Sequence, residues 1–308
     1  MQERFPLTII TPVRNAGAYF EHTLETVSAQ TCKDFEYIVL DAVSTDTTPR
    51  IIEKYRAAIT YTHSRPDKGA VDAFNTGIEM ARGDFIAFLS ADDWLAPDAV
   101  ERIVEAAKAN PAAEVISFGL TEWREEQGGR RLFLATYRDP DDGVFDVPNA
   151  LYSPCISRCF RRALYTRHGL YRHLEYGHFA DRELQVRFAL HQPKKAVIPH
   201  VLYHFRKHEA SATGNAGVNT IIKSMACNRR IADSYLGDRH SGSRQRRVLL
   251  QWYGFAWVRQ VFFMFKARQI KQAIQVMIEG MRRHPASCIF ALFLHDIPRT
   301  YRSRTLPE

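Results

Sequence analysis

Phe85-Ile86-Ala87-Phe88-Leu89-Ser90-Ala91-Asp92-Asp93 decides how this chain is read, because five apolar residues run directly into two adjacent acids. An uninterrupted apolar run of this length describes a strand buried on both faces. In open α/β sheets, ligands gather just beyond the carboxyl ends of such strands. Neighbouring carboxylates repel each other, and a hard divalent cation relieves that repulsion while offering a clamp for a diphosphate. Asp is also ordinary turn and cap chemistry, here ahead of a helix that starts after Pro97, so the pair alone leaves both readings open.

Working outward, Leu7 to Thr11 reads as a strand stopped by Pro12, followed by a helix from about residue 18 to 30 with Phe20, Leu24 and Val27 on one face. Tyr37 to Leu40 is a second strand, ended by Asp41. Ser44, Thr45, Asp46 and Pro49 then supply helix-start chemistry. A third strand near residues 59–62, a loop over 64–69 and a helix over 70–81 lead to the acid-terminated strand. A helix over 97–110 and a strand over 115–120 follow. This alternation predicts a parallel, doubly wound sheet. Pro12, Asn15, Asp41, Asp92 and Asp93 each follow a strand's carboxyl end and would therefore line one cleft. Residues 122–147 read as loops or an edge hairpin, and helical periodicity returns over 157–168 and 180–190. Beyond residue 214 the pattern is helical throughout, with a break at 237–243.

The 308 residues hold 45% hydrophobic and 25% charged residues, which excludes a disordered chain and a multispanning membrane protein. The apolar run Cys288 to Leu294 is too short to cross a bilayer, and the first residues read as polar followed by a strand, so the expected location is the cytoplasm. Five scattered cysteines fit reduced thiols. Cys155 and Cys159 have helical i, i+4 spacing and read as packing residues. Charge is uneven: residues 241–308 carry 12 Lys and Arg against 3 Asp and Glu, a net of +9 in a chain of net +8. No RNA- or DNA-binding motif accompanies that basicity, so nucleic acid is not an expected partner.

Four ordered segments, Thr8 to Asn15, Glu36 to Asp46, Arg65 to Ala70 and Phe88 to Asp93, together resemble family 2 glycosyltransferases, most closely the bacterial branch that builds O-antigen and other surface polysaccharides. The likeness is dense over residues 5–110 and looser over 150–213. It implies a GT-A (Rossmann-like) α/β fold over residues 1–213, a mostly parallel sheet flanked by helices, with a C-terminal helical extension over 214–308. It also implies a UDP or dTDP sugar donor, Mn²⁺ or Mg²⁺, inversion at the anomeric carbon, and a glycan or polyprenyl-linked acceptor. By the same resemblance Asp41 would accept a hydrogen bond from the nucleotide base, Asp92 would contact ribose or sugar, and Asp93 would hold the metal. Pro12 and Asn15 would line the nucleotide pocket, with Asp67 and Lys68 beside the donor. Ser90, Ala42 and Thr47 depart from the family's usual residues.

Inverting transfer needs a base for the acceptor hydroxyl and charge neutralisation of the leaving diphosphate. Asp181, in Phe179-Ala180-Asp181-Arg182-Glu183-Leu184, looks like the acidic motif that opens a helix in this family. The helix dipole would keep it ionised, although plain helix capping explains the same residue, and Glu183 is the weaker candidate. Tyr203 to Ser211 is dense in nitrogen donors and reads as a cationic loop over a diphosphate, with His208 preferred to His204 as a third metal ligand. Val248, Leu249, Trp252, Phe255, Phe262 and Phe263, interleaved with arginines and Lys266, suit either a helix lying on an anionic inner-leaflet surface or a helical cap on the domain. A nucleotidyltransferase would want a Gly-rich loop after the first strand, and Pro12 to Gly17 offers one glycine.

Overall fold

Alternation of apolar strands with amphipathic helices sets the first half of the molecule. The computed structural model describes residues 4–126, 130–152, 154–208, 211 and 217–293. In chain order come β1 (Leu7–Val13), α1 (Phe20–Ser28), β2 (Glu36–Asp41), α2 (Thr48–Lys54), β3 (Tyr61–Ser64), α3 (Ala70–Met80) and β4 (Phe85–Phe88). Their strands are all parallel neighbours: β1 lies between β2 and β4, and β3 pairs with β2. Successive side chains on a strand point to opposite faces. Ile10, Ile38, Ile86 and Phe88 accordingly enter one core, under α3, while Ile9, Val39, Phe85 and Ala87 enter the other, under α1.

The second half departs from a parallel sheet. It comprises β5 (Trp94–Leu95), α4 (Ala99–Ala109), β6 (Val115–Glu125), β7 (Arg131–Tyr137), α5 (Val147–Tyr152), β8 (Arg158–Arg161), α6 (Arg162–His168), α7 (His173–Tyr176), α8 (Ala180–Ala189) and β9 (Lys195–Lys207). The sheet order is β3-β2-β1-β4-β8-β6-β9-β5, with β7 paired to β6. β8 is antiparallel to both β4 and β6, β7 forms the expected hairpin with β6, and β5 is antiparallel to β9. The sheet is thus mixed, where alternation alone predicted a parallel one. Residues 158–161, expected in a helix, form β8, so Cys155 and Cys159 do not share a helical face. Both are nonetheless buried as packing residues.

The expected loop at 203–207 is also strand, the end of β9. Pro199 is accommodated because the β6–β9 register shifts there: Ile198 pairs with Phe118 and Val201 with Gly119, leaving Pro199 and His200 unmatched.

The C-terminal helices are α9 (Val218–Leu236), α10 (Ser243–Lys266), α11 (Ile270–Arg283) and α12 (Pro285–Phe293). They do not begin as a separate body. Ile231, Tyr235 and Leu249 belong to the core beneath β1 and α8, and the Tyr235 hydroxyl donates to Glu183. Farther along, Ala232, Tyr253, Trp257 and Cys288 form one small core, and Ile222, Met264 and Ala273 another. Among the described residues no helix is long and apolar enough to cross a membrane.

Candidate active site

The loops after β1 and β2 are stitched to each other. Asn15 takes the left-handed backbone region (φ 48°), which Asn tolerates better than most residues. Its amide N–H donates to Ser44 Oγ at 2.8 Å and its side-chain oxygen accepts from Thr45 N–H at 2.8 Å. Pro12 is half-buried within β1 and pairs with Leu40. Asp41 closes β2 with a carboxylate only 2% exposed. It accepts from the Ser44 N–H at 3.1 Å and from the Ser64 hydroxyl at 2.5 Å. In this arrangement Asp41 organises the loop. Val43, two residues on, has φ 56° and is 47% exposed. A β-branched residue is strained in that region, a feature that clusters at ligand sites.

The two acids after β4 part company. Asp93 is fully buried: its Oδ2 accepts from the Tyr203 hydroxyl at 2.6 Å, and its Oδ1 accepts from the Arg206 N–H at 2.7 Å. Burial, with the Asp92 charge beside it, raises its carboxyl well above the usual range. Both oxygens of Asp93, the residue expected to hold the metal, accept hydrogen bonds from within the protein. Asp92 keeps its carboxylate 28% exposed, and Oδ2 lies 3.0 Å from His208 Nε2. The other ring nitrogen of His208 is buried with no protein partner, and the ring lies 4.2 Å from that of Tyr19.

His204, the less preferred of the two candidate histidines, has different surroundings. His204 is stacked on Trp94 with ring centroids 5.1 Å apart, its Nδ1 is 2.7 Å from Thr121 Oγ1, and burial lowers its pKa to about 4. Arg206 and Lys207 are not a flexible cationic cover. The Arg206 guanidinium donates to the Asp92 carbonyl and to Glu125, lies over the Tyr19 and Trp94 rings, and is 3% exposed. Lys207 pairs with Glu122 at 2.8 Å. Of the remaining residues of that segment, Glu209 and Ala210 lie outside the described residues.

Asp181 stands in the first turn of α8, with Oδ1 accepting the Arg182 N–H at 2.7 Å and no side-chain cap formed. Burial, opposed by the neighbouring Arg182 charge, raises its carboxyl above the usual range. Desolvation thus opposes the helix dipole expected to keep it ionised. Asp181 is near enough to Cys155 and Tyr171 for its charge to act on both. Tyr171 in turn packs on Phe88, the last residue of β4, with ring centroids 5.7 Å apart. Glu183 is fully buried and held by Arg187 at 2.9 Å, so it is structural. Asp67 and Lys68 precede α3: Asp67 Oδ1 accepts from Gly69 N–H at 2.8 Å, and the Lys68 side chain is exposed.

The Asp92 carboxylate is the hard oxygen donor that Mn²⁺ or Mg²⁺ takes, and His208, whose Nε2 now pairs with Oδ2, adds a nitrogen better suited to a softer ion than Mg²⁺. No group of three or more such ligands occurs among the described residues. A site with few protein ligands fits an ion whose remaining positions are taken by substrate phosphates and water. Tyr203 and Arg206, which bury Asp93, carried no local sequence signal for that task.

The sheet and its flanking helices define the GT-A class of glycosyltransferase folds. A structure of *S. aureus* TarS 1-349 superposes with a TM-score of 0.62 over 94% of this chain and 79% of that one, at 18% identity. A mannosyltransferase from *Pyrobaculum calidifontis*, PcManGT, in complex with GDP-Man and Mn²⁺, gives 0.56 over 96% and 89%, at 17%. The Glycosyl transferase family 2 model matches residues 8–169, more than half of the chain, and the chain belongs to that family. The putative glycosyltransferase EpsH of *Bacillus subtilis* is 28% identical over 224 residues, 67% of this chain and 62% of EpsH. A PGL/p-HBAD biosynthesis glycosyltransferase of *Mycobacterium tuberculosis* is 30% identical over 188 residues, 58% of this chain and 68% of the relative.

Proposed function

We propose that this protein transfers a sugar, with inversion, from a UDP or dTDP sugar to a hydroxyl of a glycan or polyprenyl-linked acceptor in surface-polysaccharide (O-antigen-like) assembly, at the cytoplasmic face of an anionic membrane. The observation that carries this reading is the separation of the two acids after β4. Asp93 is locked into the protein by Tyr203 and Arg206, and Asp92 is left beside His208. Asp92 and His208 would hold a divalent ion, which when bound supplies charge neutralisation for the leaving nucleoside diphosphate. The stitched loops of Asn15, Asp41 and Ser44 would hold the nucleotide at the same sheet edge, with Pro12, Asp67 and Lys68 alongside. Asp181 would take the acceptor hydroxyl's proton. A base with a raised pKa accepts a proton more readily at neutral pH than an ordinary carboxylate does. Relatives named for PGL/p-HBAD biosynthesis and as a chondroitin synthase, and fold neighbours in complex with UDP-GlcNAc or with GDP-Man and Mn²⁺, support a nucleotide-sugar donor and a divalent metal.

The test is turnover of UDP and dTDP sugars by the full chain with Mn²⁺. Asp92→Asn should lower Mn²⁺-dependent turnover about a hundredfold or more, as expected for losing a charge that acts on the leaving group. Asp181→Asn should bind donor and lose about 10²- to 10⁴-fold in transfer. As a base, Asp181 must be ionised, so kcat/KM should fall as pH drops through its pKa. Because burial raises that pKa, the acid limb should lie above the ordinary carboxylate range. An Asp181→Asn protein that transfers at the unmodified rate would remove the residue from the reaction.

A further inference from the structure

The C-terminal helices present a surface that the candidate site does not use. α11 turns its small residues inward: Ala273 is fully buried, Gly280 meets the Trp257 indole, and Trp257 Nε1 donates to the Val276 carbonyl at 2.8 Å. Its large apolar residues are turned out. Ile270, Ile274, Met277, Ile278 and Met281 are 36% to 55% exposed. At helical spacing these five lie on one face roughly 100° wide, a continuous apolar row. Lys271 and Arg282 are exposed along its border, while the acid Glu279 lies round the helix and pairs with Arg229 at 3.3 Å. Ile289, Phe290 and Leu292 of α12 add exposed apolar surface. Phe290 also lines a cavity of about 520 Å³ together with Leu250, Arg247 and Arg283.

We propose that the α11 row docks this protein on an anionic lipid bilayer, with its isoleucines and methionines entering the boundary between headgroups and acyl chains and Lys271 and Arg282 meeting the headgroups. This deepens the membrane contact proposed above and places it on a different helix. Of the α10 residues singled out from the sequence, Leu249 is fully buried, Val248 and Trp252 pack against the main core and Phe263 against the core of Ile222 and Met264, while Phe262 is 61% exposed. Charge decides between a bilayer and a second copy of the chain. Docking two copies row to row would bring two segments of net +9 together, whereas an anionic surface complements them.

Cosedimentation of the full chain with extruded vesicles tests this. Vesicles of phosphatidylglycerol and phosphatidylcholine in equal amounts should bind the protein, and pure phosphatidylcholine should bind it more weakly. The double variant I274S/I278S should lose about tenfold in partitioning, given the apolar area removed. The variant K271Q/R282Q should weaken binding to the anionic vesicles while leaving binding to pure phosphatidylcholine unchanged, and equal anionic binding would remove these two residues from the headgroup contact. Both variants should melt like the unmodified chain and turn over donor at the same rate on a soluble acceptor. Failure of turnover in the unmodified chain would sink the proposed activity and leave the vesicle result standing. Equal binding by I274S/I278S, or no binding by the unmodified chain at low salt, would overturn the docking surface. So would a dimer in sedimentation velocity that I274S/I278S dissolves, because the row would then belong to a second copy.

Discussion

The parallel half of the sheet and α11 treat apolar residues in opposite ways. Along β1, β2 and β4 every isoleucine is enclosed by one of two cores, so the pattern of the strands is the pattern of their packing. Along α11 the inward positions are Ala273 and Gly280, and the large residues face solvent. Amphipathicity therefore means different things in the two places. In the sheet it identifies what is inside; in α11 it identifies what remains available for contact. The same contrast holds for the adjacent acids: Asp93 is enclosed by the fold, and Asp92 keeps a partly exposed carboxylate beside His208.

Breaking the sheet side of this contrast should have the largest effect. Arg158, fully buried in β8, donates to Asp139 at 2.9 and 2.8 Å and to the Asn149 carbonyl at 2.8 Å, and also reaches Gln185 of α8. Removing one partner of a buried ion pair strands the other, so Arg158→Ala should cost about 3–5 kcal/mol in urea-induced unfolding. Replacing Arg158 and Asp139 together with apolar residues of similar volume should recover most of that loss, because it is the unmatched charge that is costly. A cost below about 1 kcal/mol for Arg158→Ala would mean that β8 is not integrated with α8 in the way described.

How much was legible in the sequence follows the same division. Strands β1, β2 and β4 were readable because each is an apolar run flanked by turn chemistry, and the acids at their ends were readable as a shared edge. β8 was not, because Arg158 and Arg161 interrupt its apolar pattern and the spacing of Cys155 and Cys159 fits a helix as well. β9 contains Pro199 and a cluster of nitrogen donors, and becomes a strand by pairing with β6 through a register shift that no local preference encodes. Which of Asp92 and Asp93 faces outward is settled by Tyr203 and Arg206, more than a hundred residues later, so adjacency in sequence could not assign the roles. Burial of Asp41 depends likewise on Ser64 from the neighbouring strand.

Two changes in α11 sharpen the helical side. A methyl group added at Gly280 would overlap the Trp257 indole, which is 3% exposed and tied to Val276. Alanine favours a helix over glycine by up to about 1 kcal/mol, and overpacking costs about 1–3 kcal/mol. The steric effect should win, leaving Gly280→Ala less stable by about 1–2 kcal/mol in thermal unfolding. Ile278→Ser should do almost nothing to the isolated protein, within about 0.5 kcal/mol, because the side chain is 47% exposed and its loss opens no cavity. The two substitutions lie two residues apart on one helix, so a difference between them isolates orientation from position. A loss above about 1 kcal/mol at Ile278 would mean that the row is already covered in the free chain. In that case its apolar residues would be packing, as they are in β1, and the contrast between the two regions would collapse.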